Sequence, residues 1–213
     1  MTVLTDEEAR QQIVEIAHDL FAMGQLTPTG GNISAKGADP DLLWITPSQM
    51  YKGGLGEESL VLIRRDGTVV AGTNRPSIEL QMHWASYAAR HEATAAVHTH
   101  APAVTAFGIT NQSFPPLNTD AIALADTQIV PWFMPGSPEL AAAVAEAIKV
   151  SRGVILQCHG LMAVGETMRK AANRAVMLEE TARLYLYCKQ FGGDVAVIPP
   201  DWVAKLAPIK DFL

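Results

Sequence analysis

Thr94-Ala95-Ala96-Val97-His98-Thr99-His100-Ala101-Pro102 is the stretch from which the rest of the chain can be placed. As far as His100 it reads as a strand, and Ala101-Pro102 then begins a helical turn. Side chains on a strand alternate between faces, so His98 and His100 share one face while Val97 and Thr99 take the other. Their Cα atoms would stand roughly 6–7 Å apart, close enough for both rings to converge on one ion. Two histidines lining a polar groove are the alternative. Just upstream, Pro76-Ser77 opens a helix carrying Ile78, Leu80, Met82, Trp84, Ala85 and Ala88 to about Arg90.

The same reading extends to both ends. Thr5-Asp6-Glu7-Glu8 is a capping-box pattern, and Ala9, Ile13, Ile16, Ala17, Leu20 and Phe21 recur at helical spacing up to Gly24. A Gly-rich loop, Thr29-Gly30-Gly31-Asn32-Ile33-Ser34, follows. Strand-like pieces run from Leu42 to Thr46, Ser59 to Arg64 and Thr68 to Ala71, with a hairpin turn at Asp66-Gly67. Residues 111–126 read as a loop-rich connection. Ser137-Pro138-Glu139 starts a helix running to about Lys149. A β-rich run from Val154 to Cys158 ends at His159-Gly160, and Leu161 to Val164 continues beyond the turn. A long helix spans Thr167 to about Gln190, followed by a Pro-rich tail from Ile198. Strands and helices interleave without a strict βαβ rhythm, which predicts an α/β fold with a mixed sheet flanked by helices.

Composition narrows the function. The chain has 213 residues, 48% of them hydrophobic, enough to bury a sizeable core as one domain spanning 1–213. Its net charge of −6 argues against a nucleic-acid surface. No apolar run approaches the roughly 20 residues that cross a bilayer, and the N-terminus lacks the pattern of a signal peptide. Two cysteines, Cys158 and Cys188, are too few for a disulfide framework, so a cytoplasmic location is expected.

His159 sharpens the His-x-His signal. It sits where a strand meets a turn, and Gly160 beside it permits close backbone approach. Three neutral imidazoles with an open position suit a catalytic metal ion. Cys158 would point to the opposite face and reads as core, not ligand. Glu79, in the first turn of the helix that leads into the His-x-His strand, is the natural fourth group, though an acid there also suits the helix dipole. His83 lies one turn further on and reads as support for that region or as packing; His18 and His91 read as surface or helix-end residues. The Gly30–Ser34 loop, Ser48 and Ser77 could each hold an anion, and each is also an ordinary cap or turn residue.

In order along the chain, Gly31-Asn32-Ile33-Ser34, Ile45-Thr46-Pro47-Ser48, Pro76-Ser77-Ile78-Glu79, Val97-His98-Thr99-His100, Pro135-Gly136-Ser137-Pro138-Glu139-Leu140 and Gln157-Cys158-His159-Gly160-Leu161 resemble the class II aldolase/adducin-head family. Fuculose-phosphate aldolase and ribulose-phosphate 4-epimerase belong to it. The resemblance implies a three-layer α/β/α fold with a central, mostly antiparallel mixed sheet, usually in a homotetramer with active sites between subunits. It implies zinc, or manganese, cobalt, nickel or iron, held by Glu79, His98, His100 and His159, and Glu79 acting as base. The activity implied is retro-aldol cleavage of a small ketose phosphate or related polyol through an enediolate, a role in carbohydrate metabolism. A decarboxylase of a small hydroxy acid, keto acid or dihydroxy-aromatic acid would use the same site. A 4-epimerase and a non-catalytic adducin-like scaffold are the further alternatives.

Asn32, Ser48, Gln49, Ser77 and Ile78 fall at the family's substrate-anion positions. Sugar-phosphate members usually have glycine where Gln49 stands and a second serine where Ile78 stands. Arg75 and Lys52 lie close enough in sequence to compensate. Aldolase members also place a tyrosine in the loop after the His-x-His region. Here that loop holds Asn118-Thr119-Asp120, and Asp120 resembles an acid of the epimerases, which makes it an acid/base candidate or a loop cap.

Overall fold

The computed structural model describes residues 4–212, with side chains as far as residue 209. The first half of the chain forms α1 (Asp6–Ala22), β1 (Asn32–Lys36), β2 (Leu42–Ile45), β3 (Val61–Arg64), β4 (Val69–Ala71), α2 (Leu80–Ala89), β5 (Ala95–Thr99) and α3 (Pro102–Ile109). The second half forms α4 (Thr119–Ala123), β6 (Gln128–Val130), α5 (Pro138–Val150), β7 (Gly153–Leu156), β8 (Gly160–Gly165), α6 (Met168–Phe191) and α7 (Pro200–Leu206).

The eight strands make one sheet in the order β4-β3-β2-β1-β5-β8-β7-β6. Every pairing is antiparallel except β6 with β7. Alternation along the strands splits the core in two. Ile33, Val97, Leu161 and Ala163 face α1, α3 and α6, whereas Ile45, Ala96, Met162 and Leu156 face α2 and α5. The expected α/β/α layering, with its mostly antiparallel mixed sheet, is therefore observed.

Local chemistry sets most of the element ends. Thr5 and Glu8 form both bonds of the capping box. Ser137 Oγ accepts from the Leu140 N–H, with Pro138 in the first helical position. Gly67 closes the β3–β4 turn at φ +87°.

The structure differs from expectation in four respects. The Gly-rich loop ends at Gly31, and Asn32–Lys36 is a central strand whose polar Asn32 and Ser34 hid its pairing on both edges. α2 begins at Leu80, because the Ser77 hydroxyl accepts from the Glu79 N–H and the Leu80 N–H bonds to the Ser77 carbonyl in a turn. Glu79 is thus the N-cap residue, not part of the first helical turn. Short pieces also escaped periodicity: α4 and β6 within or just after the loop-rich connection, and α7 in the Pro-rich tail. Finally, Cys158 is exposed, not core, because it stands in the β7–β8 turn at φ +57° and does not continue the strand.

Candidate metal centre

The centre is built where β5 ends. Within β5, His98 lies cross-strand from Asn32 of β1 and from Met162 of β8. His100 follows one residue beyond the strand, its N–H donating to the Gln25 carbonyl at 3.2 Å. His159 comes from the β7–β8 turn, and the next residue explains how it gets so near. A Cβ on Gly160 would stand 2.0 Å from the Thr99 carbonyl oxygen, so only glycine lets this turn close on β5. Glu79 arrives from the N-terminus of α2 on the sheet face that carries His98.

One donor atom from each of Glu79, His98, His100 and His159 lies within 4.8 Å of the others. His98 Nε2 is 3.0 Å from His100 Nε2 and 3.2 Å from Glu79 Oε2, and His159 Nε2 is 3.3 Å from Glu79 Oε1. That last pair is at ion-pair distance without hydrogen-bond alignment, so Oε1 is buried with no hydrogen-bond partner. His98 Nδ1 sits 2.7 Å from the Leu161 carbonyl, to which it donates. In the neutral ring this leaves the Nε2 lone pair aimed into the cluster.

The electrostatics agree with a ligand set. Burial, then the charge of His98, hold His100 down to about 3 and His159 down to about 4, so both stay unprotonated near neutrality. Burial alone would raise the Glu79 carboxyl. The charge and hydrogen bond of His98, with His159 and the Asn32 amide, reverse this and hold it well below the usual carboxylate range. His98 goes up because Glu79 outweighs the effect of its burial. Two unprotonated imidazoles, an ionised carboxylate and an unpartnered buried oxygen make a donor set that fits a divalent cation.

The cluster forms one wall of a cavity of about 430 Å³. Asn32, Ser48, Gln49, Ser77 and Ile78, the five residues assigned to anion binding, all line it together with Glu79, His100 and His159. Arg75 lines it as well. Gln49 stands at φ +56°, the left-handed region that favours glycine, at a cost on the order of 1 kcal/mol. Lys52 is 1% exposed, and its ammonium donates to the carbonyls of Met50 at 3.1 Å and Pro47 at 3.5 Å, on either side of Ser48-Gln49. Burial pushes it down to about 8. Asp120 is not brought here; it is exposed in the first turn of α4, beside the N-cap Asn118. His83 is fully buried and joined to Asn32, a link no spacing rule announced.

The family described as the class II aldolase and adducin N-terminal domain matches residues 11–186. The chain belongs to that family. It is 34% identical to a 5-methylthioribulose-1-phosphate/5-deoxyribulose-1-phosphate aldolase of Escherichia coli O45:K1, over 88% of each chain. It is 32% identical to a 3-oxo-tetronate 4-phosphate decarboxylase of Cupriavidus necator, over 90% of each. Among solved structures, an L-fuculose 1-phosphate aldolase superposes with a TM-score of 0.85 at 28% identity, covering 96% of both chains. Family membership agrees with the fold and with a Glu/His cluster able to hold a divalent metal.

Proposed function

We propose that this class II aldolase-family member is a carbon–carbon lyase that performs retro-aldol cleavage of a small ketose 1-phosphate. The observation that carries the reading is the cluster of Glu79, His98, His100 and His159, three of which (Glu79, His100 and His159) line a cavity also lined by Asn32, Ser48 and Ser77. A metal wall beside a polar wall suits a substrate with vicinal oxygens near an anionic group. Such an ion, zinc in our reading, would polarise the substrate carbonyl and offset the negative charge that develops as the bond breaks. Glu79 moves the proton, its Oε2 held by the Asn32 amide and its Oε1 unpartnered. Asn32, Ser48 and Ser77 supply polar groups for the phosphate. The buried Lys52 charge lies behind the Pro47–Met50 loop and Arg75 at its rim. Relatives named for phosphorylated substrates support phosphate over a bare carboxylate at this end.

Ile78, half exposed in the cavity wall, covers apolar substrate, which favours deoxy or thioether ketose phosphates over polyhydroxylated ones. The site is completed in a homotetramer: Ile78, Trp132 and Met134 are exposed, and Gly136 of the same loop packs against the Ile78 carbonyl, so this apolar edge is available to a second subunit. Asp120 is assigned to the neighbour's site as acid. Two unbridged cysteines, and the absence among the described residues of a helix able to cross a membrane, are compatible with the cytoplasm.

The decarboxylase relative keeps a second reading in view. Incubating zinc-loaded protein with 5-deoxyribulose 1-phosphate, and separately with 3-oxo-tetronate 4-phosphate, separates the two. Aldehyde release from the first is expected. Carbon dioxide from the second, with no aldehyde from the first, would replace the aldolase reading by the decarboxylase one.

A further inference from the structure

α2 lays a row of polar side chains across the sheet. Glu79, His83 and Tyr87 are spaced four apart, so successive members stand about 6 Å along the helix axis. Asn32 and Ser34, two apart on β1, repeat at about 6.6 Å. The two periods match, and the rows interlock. Asn32 Nδ2 lies 2.8 Å from Glu79 Oε2, His83 Nε2 lies 2.5 Å from Asn32 Oδ1, Ser34 Oγ lies 2.6 Å from His83 Nδ1, and Tyr87 Oη lies 2.9 Å from Ser34 Oγ and 3.1 Å from the Ser34 carbonyl. All five side chains are buried.

Directions in this chain follow from its first member. The Glu79 carboxylate only accepts, so the Asn32 NH₂ must face it and Asn32 Oδ1 must face His83. His83 Nε2 therefore carries the ring proton. Burial pushes this imidazole down to about 3, leaving no second proton for Nδ1. Nδ1 must then accept from the Ser34 hydroxyl, whose oxygen shares the single Tyr87 proton with the Ser34 carbonyl. From Ser34 onward, every proton is donated toward the carboxylate. With the proton on Nδ1 instead, His83 Nε2 would need a donor, the Asn32 amide would turn over, and its oxygen would face the Glu79 carboxylate.

We propose that His83 is a positioning residue for the reaction: as the Nε2–H tautomer, donating to Asn32 Oδ1, it locks the Asn32 amide so that its NH₂ orients the Glu79 carboxylate. This rests on Glu79 being the base of the proposed aldolase. The lock holds Oε2 whatever occupies Oε1, and because Asn32 also lines the cavity it ties the orientation of the base to the substrate wall.

Protein labelled with ¹⁵N-histidine and loaded with zinc tests it. Nitrogen shifts should report His83, assigned by its loss in His83→Gln, as a single neutral Nε2–H tautomer. Ser34→Ala removes the donor to Nδ1 but leaves the Glu79–Asn32 end intact, so the Nε2–H form should persist. An Nδ1–H ring or an imidazolium, in the wild type or in Ser34→Ala, overturns the lock. These spectra need no substrate, so a failure of the aldolase reading leaves them decisive for the lock. In turnover of 5-deoxyribulose 1-phosphate, His83→Leu should lower kcat about 100-fold with KM and bound zinc changed less than about twofold, the signature of misorientation. His83→Gln, whose amide N–H can still donate to Asn32, should recover kcat to within about tenfold of wild type. Wild-type kcat in His83→Leu, a loss of zinc as large as its loss of turnover, or no recovery in His83→Gln each overturns the proposal. Should His83→Leu not fold, the Ser34→Ala spectrum decides.

Discussion

At the scale of single residues, the four groups of the metal cluster divide into holders and a mover. His98→Ala and His159→Ala remove nitrogen donors from a set already packed within 4.8 Å, so both should lower metal content per subunit. Glu79→Gln keeps a carbonyl oxygen but cannot take a proton. It should retain most of the metal while kcat falls at least ~100-fold. Elemental analysis beside kinetics checks this, and full turnover in Glu79→Gln would remove it as base. Lys52 makes a prediction with two opposite signs. Burial lowers its folded pKa from 10.5 to about 8, so between these values the unfolded chain binds the extra proton. Stability should therefore rise with pH through this window, by at most ~3 kcal/mol, and stand at its full penalty below pH 8. Phosphate binding should weaken as pH rises through about 8, where the folded protein loses this charge, raising KM. In Lys52→Met both trends should vanish, as denaturant titrations and kinetics from pH 7 to 10 would show.

At the scale of elements, what brings His159 to β5 is a contact between two backbones. Gly160 lies against the Thr99 carbonyl and the His100 Cα, neither of which can rotate away as a side chain would. Gly160→Ala should push the β7–β8 turn off β5, costing about 1–3 kcal/mol as overpacking does. It should also weaken zinc binding, though residue 160 is no ligand. A denaturant midpoint and a zinc titration measure the two effects, and an unchanged zinc affinity would show that the turn is not what places His159. The elements themselves were legible to different degrees. α1, α5 and α6 carry caps and apolar periodicity, and all three stand as read. β1 did not, because Asn32 and Ser34 face His83 and Tyr87 in a polar seam, which breaks the apolar run that marks a buried strand.

At the scale of the whole molecule, Asp120 separates one subunit from an assembly. Within the chain it is an exposed acid in the first turn of a five-residue helix. If it serves a neighbour's site, Asp120→Asn should lose turnover without losing metal. Mixing it with Glu79→Gln after dissociation and reassembly should then restore about a quarter of the activity, since a quarter of the sites receive both intact residues. An Asp120→Asn protein as active as the wild type would leave Asp120 as a helix-dipole partner only.

The order of motifs determined by itself that this chain is a three-layer member of its family, and strand alternation alone placed His98 and His100 on one face. Residue type and spacing carry such information because they act within a turn of helix or a pair of strand positions. Only the tertiary structure decided the rest: that Asn32 sits opposite His98, that Gly160 lets the His159 turn close on β5, and that Cys158 is exposed. These depend on which strands become neighbours and on where a turn leaves the strand geometry. The row of Glu79, His83 and Tyr87 shows the boundary best. Its spacing of four is visible in the chain, but its meaning comes from a strand repeat of nearly the same length lying beneath it.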